Sequence, residues 1–356
     1  MTSPSSEPVL EVRGLRKYFE VPRSRGGGRV HAVDGVDFTV GTGEVVGLVG
    51  ESGSGKSTVG KCIVRLLEPT DGEIRLHGHD VSHLPERRLR PLRRQVHMVF
   101  QDPYSSLNPR MQIRDVVAEP IRMHGIARGW QARHMVGDML ERVGLPGEMH
   151  SRYPHELSGG QRQRVGLARS LVLGPSLLIA DEPVSALDVS VQASIINLLL
   201  DLQRDLGFSC LFIAHDLATV EFLCNRVAVM YLGRLVEQAT REELFKNPRH
   251  PYTQSLLSAV PLPDPTLQRQ RRRVVLAGDI PSPVNPPSGC RFHTRCPVAE
   301  LPLCQDSDPQ LVDHRRDGHR SACHLVRGDG GAPDVTAANS ETPKIEKGAD
   351  PVHHKA

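Results

Sequence analysis

A buried strand that runs into a glycine-rich loop and then a helix leaves few folds open, and residues 44–60, EVVGLVGESGSGKSTVG, have that form. EVVGLVG is short and almost wholly apolar, as a strand covered on both faces has to be. GESGSGKS, Gly50–Ser57, meets the spacing G-x-x-x-x-G-K-[ST], and STVGKCIVRLL after it has helical spacing expected to stop near Glu68-Pro69-Thr70. The glycines let the backbone amides of Gly50, Glu51, Ser52, Gly53, Ser54, Gly55, Lys56, Ser57 and Thr58 turn inward around phosphates, and the helix N-terminus adds partial positive charge. Lys56 is placed to reach the β- and γ-phosphates of a nucleotide, and Ser57 to put its hydroxyl on Mg2+. A plain glycine-rich turn is the alternative; the strand before it and the helix after it favour nucleotide binding.

Other apolar runs end in polar residues. LLIADEP lifts Asp181 to the end of a strand, where it can hold Mg2+ through water, and puts Glu182 next to it to orient or deprotonate an attacking water. His215 closes the strand of FIAHD and can support the γ-phosphate and Glu182. Gln101, in VFQDP, follows another strand and can report on Mg2+ and water. Ser57, Gln101 and Asp181 are thus the expected Mg2+ set, and Glu182, His215 and Lys56 the expected catalytic groups.

A second glycine pair, in LSGGQRQRV (157–165), has no obvious use in a site that already has a phosphate loop. The order of the phosphate loop, Gln101, LSGGQRQRV, LLIADE, SALD and His215 resembles that of the ATP-binding cassette (ABC) ATPases, over roughly Val9 to Pro261. The resemblance gives the second pair a use. In that family two cassettes meet head to tail, so Ser158, Gly159, Gly160 and Gln161 would close over ATP held by the other chain, with Asp188 of SALD at the same interface. Phe19 is the expected stacking partner of the base, with Tyr18 as its alternative. The implied fold is α/β: a P-loop NTPase cassette with a mixed core sheet, an antiparallel β subdomain, a helical subdomain and a small Cys-rich C-terminal extension.

Along the chain this gives a disordered start at 1–8 and a cassette at 9–262, with its helical subdomain at about 88–165. IRDVVAEPIRMHGI and WQARHMVGDMLERVGL supply amphipathic helices there. The extension is expected at 263–327 and a polar, disordered tail at 328–356. RVAVMYLGRLVEQA reads as a hairpin turning at Gly233-Arg234.

A net charge of +3 over 356 residues gives no reason to expect a nucleic-acid partner. No run is long and apolar enough to span a bilayer, and the first residues, MTSPSSEPVLEVRG, lack the basic start and apolar core of a secretory signal. A cytosolic chain that meets a membrane through partners is the expectation.

Of the seven cysteines, four cluster as C-x5-C-x7-C-x18-C at Cys290, Cys296, Cys304 and Cys323. In a reducing compartment such a cluster suggests metal rather than disulfides, and softness alone suits an iron–sulfur cluster or zinc equally. His293, His314, His319 and His324 lie near enough to replace a thiolate. QDPYSSLNPRM, RYPHELSGGQRQRV, NPRHPYTQSLLSAVP and GDIPSPVNPPSGCRFHTRCP look like the ATPases of bacterial oligopeptide, dipeptide and nickel importers. That resemblance tips the cysteines toward a [4Fe-4S] cluster. It also implies a second, identical or homologous ATPase subunit, two integral-membrane permeases and, indirectly, an extracytoplasmic peptide-binding protein. The chain would sit peripherally on the cytoplasmic face of the plasma (inner) membrane. The rival readings are the same role for nickel or another small solute, and a soluble ABC ATPase without a transporter.

Overall fold

The computed structural model describes residues 7–22, 24, 27–102, 106–185, 187–260 and 274–335. Most of the expected start and tail, and the first part of the expected extension, lie outside these.

Two sheets organise the molecule. Strands β1 (Leu10–Glu20), β2 (Arg29–Val40), β4 (Asp71–Leu76) and β5 (His79–Asp80) form an antiparallel sheet in the order β2-β1-β4-β5. The larger sheet is mixed. Strands β3 (Val45–Val49), β6 (Val96–Val99), β7 (Leu177–Asp181), β8 (Ser209–Ala214) and β9 (Arg226–Tyr231) run parallel in the order β9-β3-β8-β7-β6. Strand β10 (Arg234–Thr240) then pairs antiparallel with β9, turning at Leu232-Gly233. Every residue of β3 is buried, and its side chains alternate between two cores. Val46 and Leu48 join the core shared with the antiparallel sheet, whereas Val45 and Val49 join the core built with the helices.

Helix α1 (Lys56–Ile63) follows the phosphate loop, and α2 (Glu86–Leu92) precedes β6. Helices α3 (Ile113–His124), α4 (Gly129–Arg142) and α5 (Gly159–Leu171) form the helical insertion. Ile113, Val116, Val117 and Ile121 bury one face of α3, the spacing an amphipathic helix requires. Helices α6 (Val189–Leu206) and α7 (Leu217–Leu223) connect β7 to β8 and β8 to β9. Helices α8 (Arg241–Lys246), α9 (Pro251–Ser258) and α10 (Leu303–Asp306) are the last helices among the described residues.

Three boundaries differ from the sequence reading. Helix α1 ends at Ile63, short of Glu68, because Arg65 takes a left-handed backbone (φ 55°) and its guanidinium donates to Val81 O at 2.9 Å. Strand β6 belongs to the core sheet although it lies within 88–165, so the helical insertion begins after Gln101. The tail also starts later than 328. Gln254 Nε2 donates to Pro333 O at 2.9 Å, and Val335 is 1% exposed.

The extension is not a separate lobe. Strands β11 (Val312–Asp313) and β12 (Arg320–Ser321) pair with each other, and β12 adds to the free edge of β10. Beneath that join lies Glu237, fully buried. It accepts hydrogen bonds from the amides of Arg249 (2.6 Å) and His250 (3.0 Å) and pairs with His319 Nε2 at 2.7 Å. A buried carboxylate needs such partners, and here they come from two segments, which it ties to β10.

Candidate active site

The phosphate loop is set between two neighbours that leave no room for a side chain. A Cβ on Gly55 (φ 106°) would lie 2.0 Å from Ala32 O of β2, and one on Gly50 (φ 154°) 2.1 Å from Met230 O of β9. Both positions therefore require glycine. Lys56 opens α1 and is only 4% exposed; its Nζ donates to Gly50 O at 2.8 Å and Glu51 O at 2.9 Å. Burial pushes its pKa down, against the upward pull of Glu182, Asp181 and Glu51.

A cavity of about 460 Å3 opens beside this loop, a size that suits a small ligand. Ser52, Gly53, Gly55, Lys56, Ser57 and Thr58 line it from the loop side, with Gln101, Glu182 and His215 beyond them. Asp181 ends β7, 3% exposed, and accepts from Ser57 Oγ at 2.8 Å. Its pKa is raised by burial, with the Ser57 hydrogen bond opposing. Glu182 follows in a left-handed conformation (φ 45°), held by its amide's bond to Ile213 O at 3.0 Å. That conformation costs on the order of 1 kcal/mol or more in a non-glycine residue, and residues held this way gather at functional sites. Glu182 Oε2 accepts from Gln101 Nε2 at 3.0 Å and lies 3.4 Å from His215 Nδ1. Gln101, Glu182 and His215 follow β6, β7 and β8, three adjacent parallel strands whose C-terminal ends the sheet brings together.

Two donor sets differ in what they suit. The Ser57 hydroxyl and Asp181 carboxylate are hard oxygen donors, and Mg2+ ordinarily takes one or two carboxylates and completes its shell from phosphates and water. No group of three or more His, Cys, Asp or Glu side chains able to hold a metal ion occurs among the described residues. The grouping of side chains in the extension therefore lends support neither to a zinc centre nor to an iron–sulfur cluster. Cys290, Cys296, Cys304 and Cys323 are free thiols. Burial raises the pKa of Cys290, and takes those of Cys296 and Cys323 to about 12. The neighbouring histidines serve other ends: His319 pairs with Glu237, His293 Nδ1 lies 2.8 Å from Cys290 O, and His324 Nε2 lies 3.0 Å from Ser307 O. His314 Nε2 is buried with no hydrogen-bond partner.

Not every expected ligand residue faces the cavity. Glu51 turns away from it. Its carboxylate takes a two-pronged ion pair from Arg295 (2.7 and 3.2 Å), and its amide donates to Tyr252 OH at 2.8 Å. A carboxylate beside the loop amides would repel phosphate, so turning it away suits an anion site. The aromatic alternatives separate as well. Phe19 pairs with Val30, a cavity residue, and is 37% exposed. Tyr18 pairs instead with His31, packs on its ring and donates to Asp34, with burial first and that bond second raising its pKa to about 12. Neither ring lines the cavity itself; Phe19 lies beside a lining residue, with Lys17 Nζ 5.1 Å from its ring centroid.

Ser158, Gly159, Gly160, Gln161 and Asp188 do not line the cavity of their own chain. Ser158 caps α5, accepting from Gln161 N at 3.3 Å while its own amide donates to Gln161 Oε1 at 3.0 Å. Gly159 and Gly160 abut Leu187 and Val191; a Cβ on Gly160 would lie 2.6 Å from Val191 Cγ1. Asp188 precedes α6, exposed. The sequence reading missed Val30, Ala32 and Pro283 as cavity residues, and Arg295 as the partner of Glu51. The repeated arginines of GCRFHTRCP were the only signal for the last.

The chain matches the family described as ABC transporter over residues 33–185, and the oligopeptide/dipeptide transporter C-terminal region over residues 236–304. It is 49% identical over 329 residues to the oligopeptide transport ATP-binding protein AppF of Bacillus subtilis (strain 168), covering 91% of this chain and 99% of that protein. It is 51% identical over 316 residues to a putative peptide import ATP-binding protein of Brucella ovis, covering 89% and 97%. Among solved structures it resembles the dimeric cassette MJ0796 in a post-hydrolysis state bound to ADP and Pi. The TM-score is 0.59 and the identity 28%, over 65% of this chain and 98% of that one. CbiO1 from Clostridium perfringens, part of the cbiONQ transporter complex, also has a TM-score of 0.59 at 28% identity, over 68% and 92%.

Proposed function

Since the chain belongs to the ABC transporter ATP-binding family, with the oligopeptide/dipeptide transporter C-terminal region behind its cassette, we propose that it hydrolyses ATP to power an importer of di- or oligopeptides. The observation that carries the chemistry is the convergence of Lys56, the Ser57–Asp181 pair and the Gln101–Glu182–His215 group on one cavity.

Lys56 and the loop amides bind the phosphates of ATP, and Phe19 stacks on the base. Ser57, Asp181 and Gln101 hold Mg2+, which neutralises phosphate charge. Glu182 takes the proton from the attacking water, and Gln101 and His215 hold its carboxylate in position. Ser158, Gly159, Gly160 and Gln161 of a second cassette, with Asp188 nearby, close over the same nucleotide from outside. Supporting this is the N-terminus of α5, where two glycines allow close approach and the Ser158 hydroxyl, already accepting a bond from Gln161 N, still has a proton to donate. Loss of the γ-phosphate removes the contact between subunits and opens them.

No helix of the described residues is long and apolar enough to cross a membrane, so transport requires partners. We place the chain on the cytoplasmic face of the membrane beneath two permeases, which an extracytoplasmic peptide-binding protein supplies. The wild-type chain, purified with ATP from detergent-solubilised membranes of its own organism, is expected to carry two multi-spanning permeases. A nickel-loaded binding protein in that complex would change the cargo. Ribosomal or DNA partners without a permease would overturn the transporter reading.

Cys290, Cys296, Cys304 and Cys323 are the residues we assign to a [4Fe-4S] cluster. The softness of four thiolates favours iron–sulfur binding. Protein purified without oxygen is expected to be brown, with broad absorption in the visible that Cys296→Ser removes. A colourless anaerobic preparation with no bound iron would rule the cluster out.

A further inference from the structure

The short segment between the first two extension cysteines, Arg291–Arg295, lies against the phosphate loop rather than out in solvent. Arg291 is buried and pairs with Asp34 and Leu232 O. Phe292, 1% exposed, packs on Tyr231 and Tyr252 with ring centroids 5.2 and 5.3 Å apart. Arg295 sits 5.9 Å above the Tyr231 ring and reaches Glu51 with both terminal nitrogens. Its side chain is 8% exposed and that of Glu51 25%, so the pair is largely shielded from water.

Glu51 is held at two points, its carboxylate by Arg295 and its amide by Tyr252 OH. The carbonyl of the same residue accepts from Lys56 Nζ. Arg295, Glu51 and Lys56 therefore form a chain of contacts from the extension to the ammonium that meets the phosphates. We propose that Arg295 is a positioning residue for nucleotide binding: it braces the phosphate loop through Glu51 and cancels the one carboxylate that the loop carries. The extension thereby becomes part of the ATP site, and the nucleotide affinity of the cassette depends on its being docked.

Two effects follow when Arg295 is lost. The loop loses its anchor, and a carboxylate near the phosphates is left uncompensated; removing one partner of a shielded charge pair costs mainly that uncompensated charge. The catalytic group Gln101–Glu182–His215 lies on other strands and is untouched. Arg295→Ala is thus expected to weaken binding of a fluorescent ATP analogue about tenfold and to raise KM by a similar factor, with kcat changed less than about twofold. Arg295→Lys keeps the charge but not the two-pronged geometry and is expected to fall between the two.

The decisive variant is Arg295→Ala combined with Glu51→Gln. Glu51→Gln cannot rebuild the anchor, but it removes the orphaned charge, which is the larger of the two effects, and so restores most of the lost affinity. If Arg295 only packs the extension, the double variant binds no better than the single one and the proposal fails. It fails equally if Arg295→Ala binds the analogue as wild type does. Should Arg295→Ala not fold, Arg295→Lys takes its place: wild-type affinity overturns the proposal, and a weakened affinity that Glu51→Gln restores supports it. The proposal rests on the nucleotide reading of the site, which fails separately if the wild-type chain binds no ATP analogue at all.

Discussion

Glu182→Gln is expected to lower ATP hydrolysis by roughly 100- to 10,000-fold, the range that loss of a general base produces, while ATP binding stays within about twofold of wild type. The substitution preserves the side chain's shape, and its amide oxygen can still accept the Gln101 hydrogen bond. The left-handed backbone at Glu182 depends on the amide bond to Ile213 O, which is unaffected. Only the capacity to take a proton is lost. With ATP bound but not cleaved, the closed pair of cassettes should also persist, visible as an ATP-dependent shift in size-exclusion chromatography. Turnover by this variant within about twofold of wild type would transfer the role of base to another group, and His215 would be the first to test.

The second prediction concerns the residues that do not line the cavity of their own chain. Ser158→Asp should leave the folded chain as stable as before, because aspartate caps a helix as well as serine does. It should leave single-chain ATP affinity unchanged, because Ser158 is not a cavity residue. Hydrolysis, however, is expected to fall about a hundredfold, the scale seen when a preorganised donor to a developing anion is removed, since a negative charge would now face the γ-phosphate across the dimer. The pattern of unchanged Tm, unchanged binding and lost turnover is what an anion site acting across the dimer produces. A loss of ATP affinity in the isolated chain would mean instead that the second glycine pair serves the first site.

The parts of the site legible in the sequence are those that depend on contiguous residues or on a simple rule of sheet geometry. The phosphate loop is one continuous segment, so its strand, glycines and helix can be read in order. Gln101, Glu182 and His215 lie far apart in the chain, but each ends an apolar run. Parallel strands that are neighbours in a sheet bring their C-terminal ends together, and β6, β7 and β8 are neighbours. The Phe19 assignment was legible only as a choice between two rings. The pairing of β1 with β2 favours Phe19, because strand partners share a face and Val30, the partner of Phe19, lines the cavity, although Phe19 itself does not.

The sequence alone determined the family, the α/β class and the polar groups of the cavity, because each is encoded by local spacing that physical chemistry constrains tightly. Tertiary structure alone decided where Glu51 points and that the extension is built into the cassette. Strands β11 and β12 have two residues each, too short to show any periodicity, and form only because β10 offers an unpaired edge. Glu51 reads as one more loop residue until Arg295, 244 positions away, is folded against it. A charge pair at that separation leaves no local pattern, since nothing in either segment specifies the other before the sheet between them has formed.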